Sequence, residues 1–354
     1  MRIFLAMLAL LIASPVIAET QWPVTEGDHV IRDFAFGTGE SLPELRIHYR
    51  TLGTPHRDAE GRIDNAVIVL HGTGGSGAQF LAPQFADELF GPGQPLDIAR
   101  YYVILPDGIG HGGSSKPSDG LRARFPRYDY ADMVEAQRRL LVEGLGVERL
   151  RLLMGTSMGC MHGFIWGEAH PGMVQAMMPM ACLPIEIAGL NRMWRMMIID
   201  GLRGDPGYAG GDYETQPAQG MRNAANLLTV AGAAPLLFQE QWPEREAAET
   251  EGERRVAAAM EGRDANDMIW HFDSSRNYNP EPGLERITMP VTWINSEDDF
   301  INPSGFGIAE RLAARMPGGR FVLIPETTET RGHGTHTWAR FWRDELVALL
   351  ARSE

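Results

Sequence analysis

The chain has 354 residues, 44% of them hydrophobic and 22% charged, with a formal net charge of −14. That length buries a large core and suits one large domain with an insertion, or two domains. The acidic balance, with no basic stripe, excludes nucleic acid as a partner, because nothing would neutralise its phosphates.

Residues 1–18 read as a cleaved export signal, not as part of the fold. Arg2 gives the positive end, Ile3 to Ala13 the apolar run, and Val16-Ile17-Ala18 a small-residue cleavage site before Glu19. The apolar run is too short for a spanning helix, so stable membrane insertion is not expected; an uncleaved anchor is the alternative. Processing near Ala18 would place the mature chain in the periplasm or outside the cell. Cys160 and Cys182, the two cysteines, could then form a disulfide or remain buried thiols, and sequence leaves both open. There is no C-x-x-C and no metal-ligand cluster, and no cofactor is called for.

In chain order, residues 33–53 alternate around Phe34, Phe36, Leu45, Ile47 and Tyr49, with Gly37-Thr38-Gly39 between, which predicts an antiparallel hairpin. Ala66 to Leu70 is a continuous apolar run that stops at His71-Gly72-Thr73-Gly74-Gly75. Such a run fits a buried parallel strand, whose carboxyl end is where ligands bind. The glycine loop lacks the Lys of a phosphate-binding loop. It suits an oxyanion-binding turn, with the Thr73 N–H as first donor and Gly74 as second donor or substrate contact. Tyr101 to Pro106 is the next strand. His111 lies in the loop that follows and is expected to be structural. Residues 130–145 have helical spacing, with Asp129 and Asp132 at the start.

Leu152 to Gly159 reads as a buried strand running into G-x-S-x-G, with a helical segment, residues 160–168, directly after. Strand, sharp turn and helix are the context of a nucleophile elbow. Gly155 and Gly159 would let strand and helix approach, and the N–H of Met158 would face an oxyanion. Residues 173–183 form a further strand candidate. Between about residues 185 and 285 the alternation of strand and helix stops. Amphipathic pieces over 191–202 and 221–231 and a charged stretch over 240–260 suggest an inserted helical lid. A stripe of Met193, Met196 and Met197 reads as core packing, or else as an adaptable wall for an acyl group. Strands resume at 289–295 and 320–324, separated by a helix over 305–316 and followed by a closing helix over 338–352. The predicted fold is therefore α/β, a mostly parallel sheet flanked by helices. Its two parts, 19–184 and 286–354, are interrupted by the lid.

Ser157, then a carboxylate after a strand, then a histidine in the next loop is the chain order of an α/β-hydrolase triad. The imidazole would take the serine proton and the carboxylate would fix the imidazole tautomer. Asp299 is favoured over Asp298 because Pro303 follows it by four positions. His333 is favoured over His336 because it directly follows Gly332 in the loop, whereas His336 falls where the closing helix would begin.

Longer stretches sharpen this reading. Ser41-Leu42-Pro43-Glu44-Leu45, Asp132-Met133-Val134-Glu135-Ala136-Gln137, Gly155 to Met161, Asp205-Pro206-Gly207-Tyr208 through Tyr213, and Asp264-Ala265-Asn266 resemble the homoserine O-acetyltransferase branch of the α/β-hydrolase superfamily. The resemblance implies an acyl-enzyme on Ser157 with Asp299 and His333, and a homodimer through the lid. In that branch a lid arginine holds the substrate carboxylate, and an aspartate after the catalytic histidine holds its amino group. The corresponding positions here are Asn226 and Gly334, so a zwitterionic acceptor would lack both anchors. The expected activity is a serine ester hydrolase whose acyl-enzyme is resolved by water. The alternative is an O-acyltransferase with a different acceptor. A non-catalytic binding protein on the same fold is the third reading; a peptidase would use the same triad, but no residue argues for amide over ester.

Overall fold

The computed structural model describes residues 22–354; the export signal read over residues 1–18 lies outside them. The strands, in chain order, are β1 (Thr25–Ala35), β2 (Ser41–Leu52), β3 (Ala66–Leu70), β4 (Tyr102–Pro106), β5 (Leu152–Thr156), β6 (Met177–Met180), β7 (Val291–Ser296) and β8 (Gly319–Ile324). The helices are α1 (Pro83–Leu89), α2 (Tyr130–Arg139), α3 (Met158–Ala169), α4 (Gly189–Arg203), α5 (Ala218–Ala231), α6 (Pro235–Gln241), α7 (Arg245–Met260), α8 (Ala265–Asp273), α9 (Ile308–Ala313) and α10 (Arg343–Arg352).

All eight strands join one sheet in the order β1-β2-β4-β3-β5-β6-β7-β8. The hairpin β1–β2 is antiparallel and pairs antiparallel with β4, while every pair from β4 to β8 is parallel. Strands β3 to β7 are buried at every position, because helices cover both faces, and this is why β3 and β4 read as unbroken apolar runs. One core lies on each face: Ile68, Ile104, Leu153 and Trp293 belong to one, Val67, Val69, Leu105 and Met154 to the other. No helix among the described residues is long and apolar enough to cross a membrane.

Several expectations change in detail. The strand sought over 173–183 is only the four residues of β6; Ala181 beyond it already has a φ of 62°. The helix expected to Leu145 leaves α geometry after Arg139 and finishes in a π-turn over Leu140–Gly144. At its start Asp129 and Asp132 form a reciprocal capping box, as their spacing allows. The charged stretch over 240–260 is broken at Trp242-Pro243, so that α6 and α7 are separate. The methionine stripe is not core: Met193, Met196 and Met197 are all about half exposed. Helical phase is the reason, because Trp194, Arg195, Ile198, Ile199 and Leu202 form the buried face of α4. None of the three methionines borders the cavities beside Ser157, so neither role read for the stripe holds.

The parallel arrangement brings four loops to the carboxyl edge of the sheet. The Gly72–Gly75 turn follows β3, Ser157 follows β5, Asp299 follows β7 and His333 follows β8. The five helices α4 to α8 lie in sequence between β6 and β7, and residues from α4, α5, α7 and α8 border the space above Ser157.

Candidate active site

Ser157 has φ 54° and ψ −110°, a left-handed conformation that costs about 1–3 kcal/mol for a residue other than glycine. The surrounding hydrogen bonds hold it there. Its N–H donates to the Met180 carbonyl at 2.8 Å, and the Gly159 N–H donates to the His71 carbonyl at 3.0 Å. The two glycines are sterically required. A Cβ on Gly155 would lie 2.0 Å from the Gly159 carbonyl oxygen, and one on Gly159 would lie 2.1 Å from that of Leu70.

Around this elbow, the structure joins Ser157, His333 and Asp299 in a line. His333 Nε2 lies 2.8 Å from Ser157 Oγ, and Nδ1 lies 2.8 Å from Asp299 Oδ2. A carboxylate can only accept, so Nδ1 carries the proton and Nε2 is free to accept from the serine hydroxyl. Asp299 is fully buried. Burial pushes its pKa up, but His333, Asn302 and the Ile301 N–H act the other way and leave it below the ordinary carboxylate range. Asn302 carries no sequence signal of its role. Its side-chain amide donates to Asp299 Oδ2 and to the Ala181 carbonyl, both at 3.0 Å, and so ties the carboxylate to the end of β6.

The two members of each pair have different surroundings. Asp298 accepts from Ser296 Oγ, Thr330 Oγ1 and the Gly332 N–H, so it shapes the loop carrying His333 and does not touch the imidazole. His336 sits behind His333, its ring centroid 5.2 Å away, where burial lowers its pKa to about 3.

The expected oxyanion donors are available. Among the described residues, the N–H groups of Thr73 and Met158 donate to no protein group, and Met158, as the first residue of α3, has no partner within the helix. Thr73 Oγ1 is also buried without a partner. His71 stiffens the turn from behind: its Nδ1 donates to the Gly72 carbonyl at 2.9 Å, and its Nε2 accepts from the Gly108 N–H at 2.9 Å. His111 is buried and stacks on His271 at 3.8 Å, a structural placement.

Two cavities meet at Ser157. One, about 410 Å³, is mainly apolar, bordered by Met161, Leu183, Ile185, Ile187 and Phe300 among others. The other, about 510 Å³, is bordered by Thr73, Gly74, Arg195, Arg254, Arg255, Arg263 and His333. Asn226, expected at the substrate, is exposed on α5 and borders neither cavity. The α5 face beside Ser157 carries Leu228 and Thr229, and Asn226 falls on another side of the helix. Cys160 and Cys182 form a disulfide with Cα atoms 5.9 Å apart, which settles the open question of their state. Cys182 borders the apolar cavity.

A serine on a strained strand-to-helix turn at the centre of a parallel sheet, with its histidine and acid from later strands, defines the class. The chain belongs to the α/β-hydrolase fold family, which it matches over residues 65–329. Its relatives place it in the homoserine O-acetyltransferase-like branch, and it is an enzyme. It is 31% identical to a probable acyltransferase of Methanothermobacter thermautotrophicus, over 83% of this chain and 88% of that one. It is 30% identical to a homoserine O-acetyltransferase of Chlorobaculum parvum, over 83% and 86%. Among solved structures, homoserine O-acetyltransferase from Bacillus anthracis superposes with a TM-score of 0.79 at 20% identity, covering 94% of this chain and 98% of that one. An acetylester hydrolase from Corynebacterium glutamicum superposes with a TM-score of 0.80 at 20% identity, covering 92% and 96%.

Proposed function

We propose that the protein is a serine hydrolase of carboxylic esters that works through an acyl-enzyme on Ser157. The observation that carries this reading is the pair of 2.8 Å contacts from Ser157 through His333 to Asp299. In the first half-reaction Ser157 Oγ attacks the ester carbonyl as its proton passes to His333 Nε2. The carbonyl oxygen becomes an oxyanion facing the Thr73 and Met158 N–H groups, and each such donor lowers the barrier by about 3–4 kcal/mol. When the intermediate collapses, the bond to the alcohol oxygen breaks and His333 returns the proton to it. Asp299 stays ionised throughout and stabilises the imidazolium. In the second half-reaction His333 takes a proton from water, whose oxygen attacks the acyl carbon; the bond from that carbon to Ser157 Oγ then breaks, His333 returns the proton to Oγ, and the acid is released.

Hydrolysis is favoured over transfer to an amino-acid alcohol by Gly334, which offers no carboxylate for an ammonium group. Acyl transfer is the second reading, supported by relatives named for that activity at 30–32% identity. Product analysis separates them. With p-nitrophenyl butyrate as donor, Ser157-dependent release of free acid, unchanged by added alcohols, supports hydrolysis. An alcohol ester formed in proportion to faster release overturns it.

We further infer that residues 185–285 act as a lid and that the protein works outside the cytosol, where the Cys160–Cys182 bond would persist. A homodimer through the lid is supported by the exposed Leu190, Met193, Met196 and Met197; light scattering of the purified protein tests it, and a monomer at micromolar concentration rejects it.

A further inference from the structure

Ser157 borders both cavities, but His333 borders only the basic one. Because the imidazolium must hand its proton to the departing alkoxide, the alcohol leaves on the His333 side. The acyl chain then lies in the apolar cavity. Among the described residues, no Asp or Glu borders the alcohol-side cavity, although the chain carries a net charge of −14.

The four arginines there are not equivalent. Arg254 and Arg255 both pair with Glu251. Arg195 is buried against the Trp194 and Phe272 rings and is held by Asn191 and Ser275. Arg263 is half-buried, and among the described residues its guanidinium makes one hydrogen bond, Nη1 donating to the Gly74 carbonyl at 3.3 Å. That carbonyl is one residue from the Thr73 donor. Of the acids nearest in sequence, Glu261 is exposed and forms no ion pair with Arg263 among the described residues, and the next two are committed elsewhere. Asp264 accepts from the Asn266 and Asp267 N–H groups and from Gln216, and Asp267 accepts from the Ser118 N–H and hydroxyl. A guanidinium presents five donors in a fixed fork, and burying it without an anion is costly. Burial also holds the Arg263 pKa below its ordinary value.

We infer that the alcohol portion of the substrate carries an anionic oxygen group, a carboxylate or a phosphate, and that Arg263 binds it. The inference rests on the proposed roles of Ser157 and His333. With no acid on the cavity wall to receive an ammonium group, the preferred alcohol is a plain anion and not a zwitterion.

The test compares matched butanoyl esters: of hydroxypropanoate against hydroxypropanamide, of glycol phosphate against glycol, and of homoserine. For the wild-type protein, kcat/KM favours the anionic member of a pair by roughly ten- to a hundredfold, mainly through KM. The homoserine ester falls with the neutral ones. The pair with the larger ratio identifies the anionic group. In Arg263→Gln the ratio falls toward one, and Arg263→Lys restores part of it. A wild-type ratio of one or less, read without any variant, overturns the inference, as does a ratio that survives Arg263→Gln. If no ester is cleaved, the hydrolase reading has failed separately, and calorimetric titration with hydroxypropanoate and glycol phosphate decides. Binding that disappears in Arg263→Gln supports the anion site, and no binding by wild type overturns it.

Discussion

Asp298 directs its oxygens to Ser296, Thr330 and the Gly332 N–H, whereas Asp299 turns Oδ2 to His333 Nδ1. Replacing each by Asn separates shaping the loop from orienting the base. Asp299→Asn loses the acceptor that fixes the imidazole tautomer and lowers kcat about ten-thousandfold. Asp298→Asn lowers stability by about 1–3 kcal/mol through its buried partners and affects kcat far less. Steady-state turnover of p-nitrophenyl butyrate with urea melts of both variants checks this; equal losses of kcat would refute the assignment. Ser157→Ala removes the nucleophile, and turnover falls by about a millionfold; a variant as active as the wild type would refute the whole constellation.

At the elbow α3 packs on the ends of β5 and β3, and Gly159 is where it meets Leu70, the last residue of β3. A methyl there would meet the Leu70 carbonyl at 2.1 Å, while one at Gly172 meets nothing within 4 Å. Gly159→Ala should therefore destabilise by about 1–3 kcal/mol, and Gly172→Ala should stay within about 0.5 kcal/mol. Matched urea midpoints for the two variants would contradict the packing argument. This element is legible in the amino-acid sequence, because strand, glycine, serine, glycine and helix occur in one contiguous run. So are β3 and β4, whose burial on both faces leaves an unbroken apolar signature. What the sequence hides depends on three-dimensional phase or distance. Met193, Met196 and Met197 share spacing with a buried stripe, yet α4 turns its other face inward. Asn302 and Arg263 act through partners far along the chain, Ala181 and Gly74, and no local pattern marks them. The Cys160–Cys182 bond likewise depends on a distance that spacing along the chain does not fix.

For the molecule as a whole, acid is the condition that bears hardest on stability. Burial lowers His162 and His336 to a pKa of about 3 and His271 to about 4, against 6.5 ordinarily. The unfolded chain thus takes up these protons first, so stability falls as the pH drops from about 6.5 toward 4. Asp299, lowered from its ordinary 3.8, adds a further loss below that range. Asp267, raised by burial to about 6, acts with the opposite sign as pH falls through 6, as do Asp132 and Glu168, which burial also raises, but burial lowers His71 and His111 too, so the histidines outnumber the acids. Thermal melts at pH 7.5 and 4.5 measure the balance; an unchanged or higher midpoint in acid would contradict it. The Cys160–Cys182 bond closes a separation of 22 residues, and its removal in Cys160→Ser/Cys182→Ser should cost about 3 kcal/mol, read from urea unfolding without reductant.

Ser157 precedes the helices α4 to α8, whereas Asp299 and His333 come after them, on loops that follow β7 and β8 at the far edge of the sheet. A chain still emerging from synthesis, with only its first six strands in place, would hold a strained serine with no base beside it. Chemical competence therefore arrives with the final two strands, and ester turnover in a refolding experiment should report completion of the fold, trailing any signal from secondary structure.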